Sequence, residues 1–279
     1  MKNKIVLMIK GFLFGIANII PGVSGGTLAL TMGVYEDLIE SISHFFKDVK
    51  KSLKFLCVFG LGAVLSILLM SKVISLSLDK FPFPTTLFFV GLIIGGIPLL
   101  TRKVRKNKVK PFNVLLFLIT FGIVIGMAFM QEGNNVVSLS NVTPWMMFLL
   151  FIVGMVAAAT MVIPGVSGSF VLMLLGFYKP VVNTVSQLTD FSMLGHNLLV
   201  LVPFGIGVLL GIVLIAKLIE FLFNKYELST YYAILGFLIA SIFTLCATLF
   251  GVDFSNIEVV VGVVLFVIAA VIGYKLGDA

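Results

Sequence analysis

Two short stretches of this chain combine helix-breaking and glycine-rich residues in a pattern that could bind an anion. Residues 20–26 read IPGVSGG, and residues 163–169 read IPGVSGS. Proline stops a helix at the preceding residue, and the glycines permit backbone that bulkier residues cannot adopt. The apolar sequence resumes soon afterwards, so each stretch predicts a break followed by a new helix. The free N–H groups at such a helix start, together with serine hydroxyls, favour an anion.

A site built by the two stretches would hold its ligand with backbone amides and hydroxyls. The glycine backbone could form an anion-binding nest of the kind that holds phosphate. The stretch is not a Walker motif, because no Gly-Lys-Ser/Thr follows it and no strand precedes it, so nucleotide hydrolysis has little support. Asn18 could bind the ligand or simply satisfy the broken backbone. The predicted substrate-binding residues here are Asn18, Pro21, Gly22, Ser24, Gly25, Gly26, Thr27, Gly165, Ser167, Gly168 and Ser169.

Charged residues near the breaks are few, and their roles stay open. Lys72 and Lys217 occupy matching positions, where they either snorkel at span ends or attract an anionic headgroup at two entrances. Glu36 could couple transport to a proton or an ion, form a gate with Lys10, or be a solvated carboxylate at a hairpin end. Neither histidine has metal-ligand spacing, so the sequence predicts no metal and no cofactor.

The composition around these residues predicts a membrane protein. The chain has 60% hydrophobic residues, 11% charged residues and a mean hydropathy of +1.20. Such a chain could not be soluble as a monomer. Charge-free runs recur along it, most of them close to the about 20 residues that a spanning helix needs. The sequence therefore predicts an all-α polytopic membrane protein, because a barrel would show alternating segments of about 10 residues.

The positions of the basic residues matter more than the net charge of +7. They are concentrated in short connections at 47–54 and 101–110, whereas 131–144 contains no Lys or Arg. The positive-inside rule puts the first two connections in the cytoplasm and the third outside. These lysines are expected to lie beside anionic membrane lipids, so we predict no nucleic-acid partner and cytoplasmic N- and C-termini. The oligomeric state is left open.

The chain contains an internal repeat. Pro164 follows Pro21 by 143 residues, and the match extends beyond the two heptapeptides. After a two-residue slip, FGLGAVLSILLMSKVI at 59–74 lies over FGIGVLLGIVLIAKLI at 204–219. Self-similarity on this scale indicates two homologous halves within one transmembrane domain that covers residues 1–279.

Each half, 1–135 and 140–279, is predicted to contain a Pro-Gly-broken helical hairpin, re-entrant or fully spanning, and three transmembrane helices. The three spans of the second half are expected near 198–222, 230–250 and 257–276. The hairpin adds no net crossing, so each half crosses the membrane an odd number of times. The second half is therefore inverted relative to the first, and the two breaks are expected to meet near the midplane.

The residues around the breaks resemble a known family. KGFLFGIANIIPGVSGGTLALTMGVYEDLI at 10–39, together with VIPGVSGSFVLMLLGFY at 162–178, is similar to the polyprenyl-phosphate transporter family, formerly a domain of unknown function. The resemblance implies translocation of undecaprenyl phosphate, the lipid carrier of bacterial wall precursors, from the outer to the inner leaflet of the bacterial cytoplasmic membrane. The partner would be a lipid-phosphate substrate whose headgroup crosses at the breaks while its tail stays in lipid.

Two other functions remain open from the residues alone. A carrier or channel for a small soluble anion could share the same inverted architecture, and it would not need an apolar tail on its ligand. An enzyme acting on a lipid phosphate has less support, because the chain has two histidines and no obvious carboxylate cluster for a metal. We therefore expect a transporter that works by alternating access, not an enzyme.

Overall fold

The computed structural model describes residues 4–19, 24–105, 109–130, 137–139, 141–187 and 192–278. Within these residues the chain forms eleven helices and, as predicted, no strand. The first half contains α1 (Lys4–Ile19), α2 (Gly25–Thr31), α3 (Tyr35–Ser43), α4 (Val49–Lys80), α5 (Pro82–Arg105) and α6 (Pro111–Phe129). The second half contains α7 (Pro144–Val162), α8 (Gly168–Leu174), α9 (Tyr178–Ser186), α10 (Leu194–Ala247) and α11 (Asn256–Asp278).

Six of these helices are long and apolar enough to cross a membrane, namely α4, α5, α6, α7, α10 and α11. The short helices α8 and α9 are bent by 114° at their junction, and they would add one more crossing if they form one broken span. The chain is therefore an all-helical, multi-pass membrane protein, as its hydropathy indicates.

Helices stop and restart at both repeated stretches. α7 ends at Val162, and α8 begins at Gly168. α1 ends at Ile19, and α2 begins at Gly25, while residues 20–23 lie outside the described part of the chain. Proline and glycine therefore interrupt the helices as their chemistry predicts.

The helix that follows each break is short and ends in a sharp turn. α2 and α8 each have seven residues, and α3 and α9 each have nine. Gly33 (φ +65°) and Gly176 (φ +76°) make the turns in the left-handed region, where only glycine is unstrained. The segment after each break, expected as one helix, is therefore two helices joined at a glycine.

α10 has 54 residues, whereas the sequence predicts two separate spans in this region. Both spans are present, because the backbone leaves helical geometry at Tyr226 (φ −132°, ψ 42°). The matching position of the first half is Phe81, which has φ −135° and ψ 58° and separates α4 from α5. The two bends have nearly the same geometry, so we divide α10 into an N-terminal arm (194–225) and a C-terminal arm (227–247).

Within each half, a glycine brings the first long helix against the next one. A Cβ added to Gly11 of α1 would lie 2.0 Å from the Phe59 carbonyl oxygen of α4. A Cβ added to Gly154 of α7 would lie 2.3 Å from the Phe204 carbonyl oxygen in the N-terminal arm of α10. These are matching positions of the repeat, so the two halves make the same helix contact.

Between the halves, matching glycines also make matching contacts. A Cβ on Gly91 of α5 would lie 2.4 Å from the Phe266 carbonyl oxygen of α11. A Cβ on Gly236, in the C-terminal arm of α10, would lie 2.4 Å from the Phe117 carbonyl oxygen of α6. Each half therefore packs the helix after its bend on the last helix of the other half.

The close helix contacts can be tested with alanine substitutions. Gly11→Ala and Gly154→Ala place a methyl group against backbone, so we expect each to destabilise the protein by about 1 to 3 kcal/mol. Gly60→Ala and Gly205→Ala are matched controls, because an added Cβ there meets nothing within 4 Å. Alanine at the control positions should be neutral or stabilising by up to about 1 kcal/mol. Melting temperatures in detergent measure the difference, and equal effects at all four positions would contradict the packing.

Candidate functional site

The two repeated stretches, expected to meet, are in contact. The Gly165 N–H donates a hydrogen bond of 2.7 Å to Thr27 Oγ1, and Ser24 Oγ donates to the Ile163 carbonyl at 3.4 Å. A Cβ on Gly26 would lie 2.8 Å from the Val162 carbonyl oxygen. The start of α2 therefore lies directly on the break that follows α7.

Tyr35 fixes the second break to α3. Its hydroxyl donates to the Val162 carbonyl at 3.0 Å, and its side chain is 2% exposed. The end of α7 has lost part of its helical hydrogen bonding, so this hydroxyl satisfies an otherwise free carbonyl. Sequence reasoning did not identify Tyr35 as a site residue. The only signal in the sequence is that a tyrosine recurs at the matching position, Tyr178.

Gly25 and Gly168 lie where two helices pack too closely for a larger side chain. A Cβ on Gly25 would lie 2.2 Å from Asn18 Nδ2, and one on Gly168 would lie 2.2 Å from Met161 Cγ. Asn18 and Met161 are matching positions, and Asn18 Nδ2 donates to the Phe14 carbonyl of its own helix at 2.8 Å. A bulky residue at either glycine would therefore collide with the preceding helix, so it would not report on ligand binding alone.

The second break keeps its serine hydroxyls close together. Ser167 Oγ lies 2.9 Å from Ser169 Oγ and accepts a hydrogen bond of 3.4 Å from the Phe170 N–H. Ser167 is thus the N-cap of α8, as its position before the helix predicts. Gly165 has φ +83°, and its carbonyl accepts from Ser241 Oγ at 3.4 Å, which holds the break against the C-terminal arm of α10.

Two cavities border the second break. One has a volume of about 490 Å³ and an almost wholly apolar wall that includes Ile163, Pro164, Leu218, Ile234 and Phe237. The other, of about 350 Å³, has a more polar wall that includes Gly165, Ser167, Thr244 and Thr248. We call them the apolar cavity and the hydroxyl cavity, and residues 163–167 separate them.

The two cavities follow one groove between α6 and the C-terminal arm of α10. Ser229 Oγ donates to Asn113 Oδ1 at 2.8 Å near the start of both helices, and the rings of Phe121 and Phe243 lie 5.8 Å apart further on. The helices therefore run parallel, with the apolar cavity near their starts and the hydroxyl cavity near their ends. The second break lies between the two cavities along this groove.

The helix after the first break is more closely packed than the helix after the second. All seven residues of α2 are buried, whereas only Gly168 of α8 is fully buried. A third cavity of about 400 Å³ lies beside α1, with Asn18, Gly26 and Met161 in a mostly apolar wall. The two halves therefore share their helix order but differ in how closely the helix after the break is packed.

A fourth cavity, of about 170 Å³, contains Glu36 in its wall. Glu36 Oε1 accepts a hydrogen bond from the Tyr231 hydroxyl and lies 3.6 Å from Lys103 Nζ. This group joins α3 and α5 of the first half to the C-terminal arm of α10. Lys10, the predicted gate partner of Glu36, is 2% exposed within α1.

The comparisons with known proteins agree on one family. A family model described as undecaprenyl phosphate translocase-like matches residues 14–250. The chain belongs to this family. It is 31% identical over 277 residues to a polyprenyl-phosphate transporter of Staphylococcus aureus, with 98% of this chain and 96% of the relative covered. It is also 30% identical over 240 residues to a polyprenyl-phosphate transporter of Vibrio cholerae, with 81% of this chain and 72% of the relative covered. No solved structure matches the chain significantly.

In this family member, the other predicted site residues lie apart from the cavities or outside the described chain. Lys72 on α4 and Lys217 on α10 are exposed, and neither contributes to the walls of the four cavities. Pro21 and Gly22 belong to the residues that the structure does not describe. Among the described residues, no group of three or more His, Cys, Asp or Glu could hold a metal ion.

The contact between the breaks can be tested at Thr27, whose side chain is 0% exposed. Thr27→Val keeps the shape but leaves the Gly165 N–H without its acceptor, so we expect a loss of about 1 to 3 kcal/mol. Thr27→Ser should preserve most of the stability. Thr31→Val is the matched control, because the buried Thr31 hydroxyl donates only to the Leu28 carbonyl of its own helix. If both valine variants lower the melting temperature in detergent equally, the hydrogen bond between the breaks stabilises the protein no more than a hydrogen bond within one helix.

Proposed function

We propose that this protein transports polyprenyl phosphate, such as undecaprenyl phosphate, across the bacterial cytoplasmic membrane. The observation that carries the proposal is the position of the second break between an apolar and a hydroxyl-lined cavity along one groove. Membership of the undecaprenyl phosphate translocase-like family and the names of the two relatives support this substrate. The ligand would be an anionic headgroup on a long apolar chain.

The two cavities suit the two parts of such a lipid. The apolar cavity would accept the first part of the tail, because an isoprenoid chain that moves from lipid into an apolar cavity exposes no apolar surface to water. The headgroup needs compensation, since an isolated charge in apolar surroundings costs tens of kcal/mol in the idealised limit. Hydrogen bonds to a charged group return about 1.5 to 3 kcal/mol each, so several are required.

The headgroup site would be formed by the residues of the two breaks. Ser24, Thr27 and Gly165 lie at the contact between the halves, where their hydroxyls and amide are already hydrogen-bonded. Ser167 and Ser169 pair with each other in the second break. A bound headgroup would exchange for some of these hydrogen bonds. Asn18, Pro21, Gly22, Gly25, Gly26 and Gly168 would complete this site by shaping the backbone around it.

Transport would proceed by alternating access between two inverted halves. The matching glycine contacts within and between the halves support a common architecture. The buried α2 and the more open α8 support a state in which the two breaks face different surroundings. The basic connections at 47–54 and 101–110 favour cytoplasmic termini, and the proposed direction of transfer is from the outer to the inner leaflet.

Lys72 and Lys217 would act away from this path. Both side chains are exposed on long helices, so their aliphatic stems can lie along lipid while the ammonium groups reach the headgroup region. In that position they would attract an anionic headgroup before it enters, and they would not bind it during transfer.

Leaflet transfer in proteoliposomes tests the proposed function. We expect the protein to move polyprenyl phosphate but not a glycerophospholipid of similar charge or soluble phosphate. Ala233→Phe would place an aromatic ring in the apolar cavity and reduce transfer by about tenfold or more, equivalent to at least about 1.4 kcal/mol in the barrier. Leu209→Phe is the control, because Leu209 is 67% exposed and lies outside the four cavities.

Two outcomes would contradict the proposal. Transfer of soluble phosphate at the same rate would instead favour a carrier for small anions, which has no use for the apolar cavity. Full transfer by an Ala233→Phe variant with an unchanged melting temperature would show that the tail does not enter this cavity.

A further inference from the structure

The small cavity beside Glu36 differs from the other three in its charge. Its wall contains Glu36, Asp37 and Lys103, together with Tyr231 and the ends of α5 and α11. Among the four cavities, and within the residues that the structure describes, only this one has a lysine or arginine in its wall. A phosphate that leaves the hydroxyls at the breaks could therefore pair with a positively charged side chain here.

Lys103 is held in this wall by weak, exchangeable contacts. Its Nζ lies 3.6 Å from Glu36 Oε1 and 5.6 Å from the centre of the Tyr231 ring. The side chains of Lys103 and Glu36 are 46% and 57% exposed, and ion pairs exposed to this degree contribute little to stability. A phosphate monoester carries more charge than a carboxylate and has three acceptor oxygens, so it can replace Glu36 as the partner of the ammonium group.

The small cavity adjoins the apolar cavity at one residue. Tyr35 lies in the walls of this small cavity, of the apolar cavity and of the cavity beside α1. Its hydroxyl holds the Val162 carbonyl at the second break, and Glu36 is the next residue along α3. Tyr35 therefore separates the apolar cavity from the small cavity, and its side chain would have to move for the headgroup of a lipid held in the apolar cavity to reach Lys103.

We propose that Lys103 binds the phosphate headgroup at this end of the path, and that Glu36 is the carboxylate that the phosphate displaces. The inference rests on the proposed function. Lys103 lies at the end of α5 that the positive-inside rule assigns to the cytoplasm, so this is the release end. Asp37 and the displaced Glu36 repel a bound phosphate, which keeps its residence short, as release requires.

The repeat does not duplicate this site. The positions that match Glu36, Lys103 and Tyr231 are Lys179, Thr248 and Thr86, so the carboxylate is replaced by a base and the lysine by a hydroxyl. Lys179 is exposed, and Thr248 lies in the wall of the hydroxyl cavity. The matching positions of the two halves therefore carry different charges. A phosphate would bind with different affinity where it is captured and where it is released.

Binding of polyprenyl phosphate and of uncharged polyprenol to the full chain in nanodiscs tests the role of Lys103. We expect Lys103→Gln to weaken binding of the phosphate about tenfold, or about 1.4 kcal/mol, and to leave polyprenol unaffected. Arg105→Gln is the matched control, because Arg105 is an exposed cation at the same helix end and lies outside the four cavities. Equal binding of the phosphate by the wild type and Lys103→Gln would overturn the inference.

A double substitution separates headgroup binding from a structural ion pair. If Glu36 competes with the phosphate, Glu36→Gln tightens binding, and the Glu36→Gln/Lys103→Gln variant binds as weakly as Lys103→Gln. If the pair only stabilises the fold, both single variants lower the melting temperature and the double variant restores both melting temperature and binding, which would contradict our inference. Failure of the wild type to prefer polyprenyl phosphate over polyprenol would instead contradict the proposed function, and this inference with it.

Discussion

The hydrogen bond from the Gly165 N–H to Thr27 Oγ1 joins two interruptions that neither half could bury alone. Irregular backbone at membrane depth is tolerated only where protein surrounds it or where it lines a cavity, because lipid offers no partners to free N–H and C=O groups. Here the first break provides side-chain hydroxyls to the second, and Tyr35 satisfies the Val162 carbonyl. Of the residues at this contact, Gly165 also lies in the wall of the hydroxyl cavity, which is part of the proposed path.

The repeat makes the two halves similar, and the proposed transport would depend on the ways in which they differ. Matching glycines bring the helices together with nearly the same geometry in each half, and the bends at Phe81 and Tyr226 are alike. The helices after the breaks differ, since α2 is buried while most of α8 is only partly buried. Two similar packings with unequal burial are what the proposed rocking mechanism would require, because each half would have to adopt the arrangement of the other.

The sequence predicts the repeat, the breaks and the helical class because proline, glycine and hydropathy act locally. It does not show the group formed by Glu36, Lys103 and Tyr231, since Glu36 and Tyr231 are 195 residues apart and belong to different halves. Symmetry draws attention to residues that repeat, such as Lys72 and Lys217, whereas Lys103 has no lysine at its matching position. The sequence also did not predict that the helix after each break is short, because the turn that ends it depends on a single glycine in an apolar run.

Photo-crosslinking with a polyprenyl phosphate that carries a diazirine near the headgroup would test the path most directly. Mass spectrometry should place the adducts on α6 near 112–116 and on α10 within 215–237, where the walls of the apolar cavity lie. Unlabelled polyprenyl phosphate should compete for these adducts, and polyprenol should not. Adducts confined to lipid-facing residues such as Ile257, Val260 and Val264 of α11 would contradict a path along the second break.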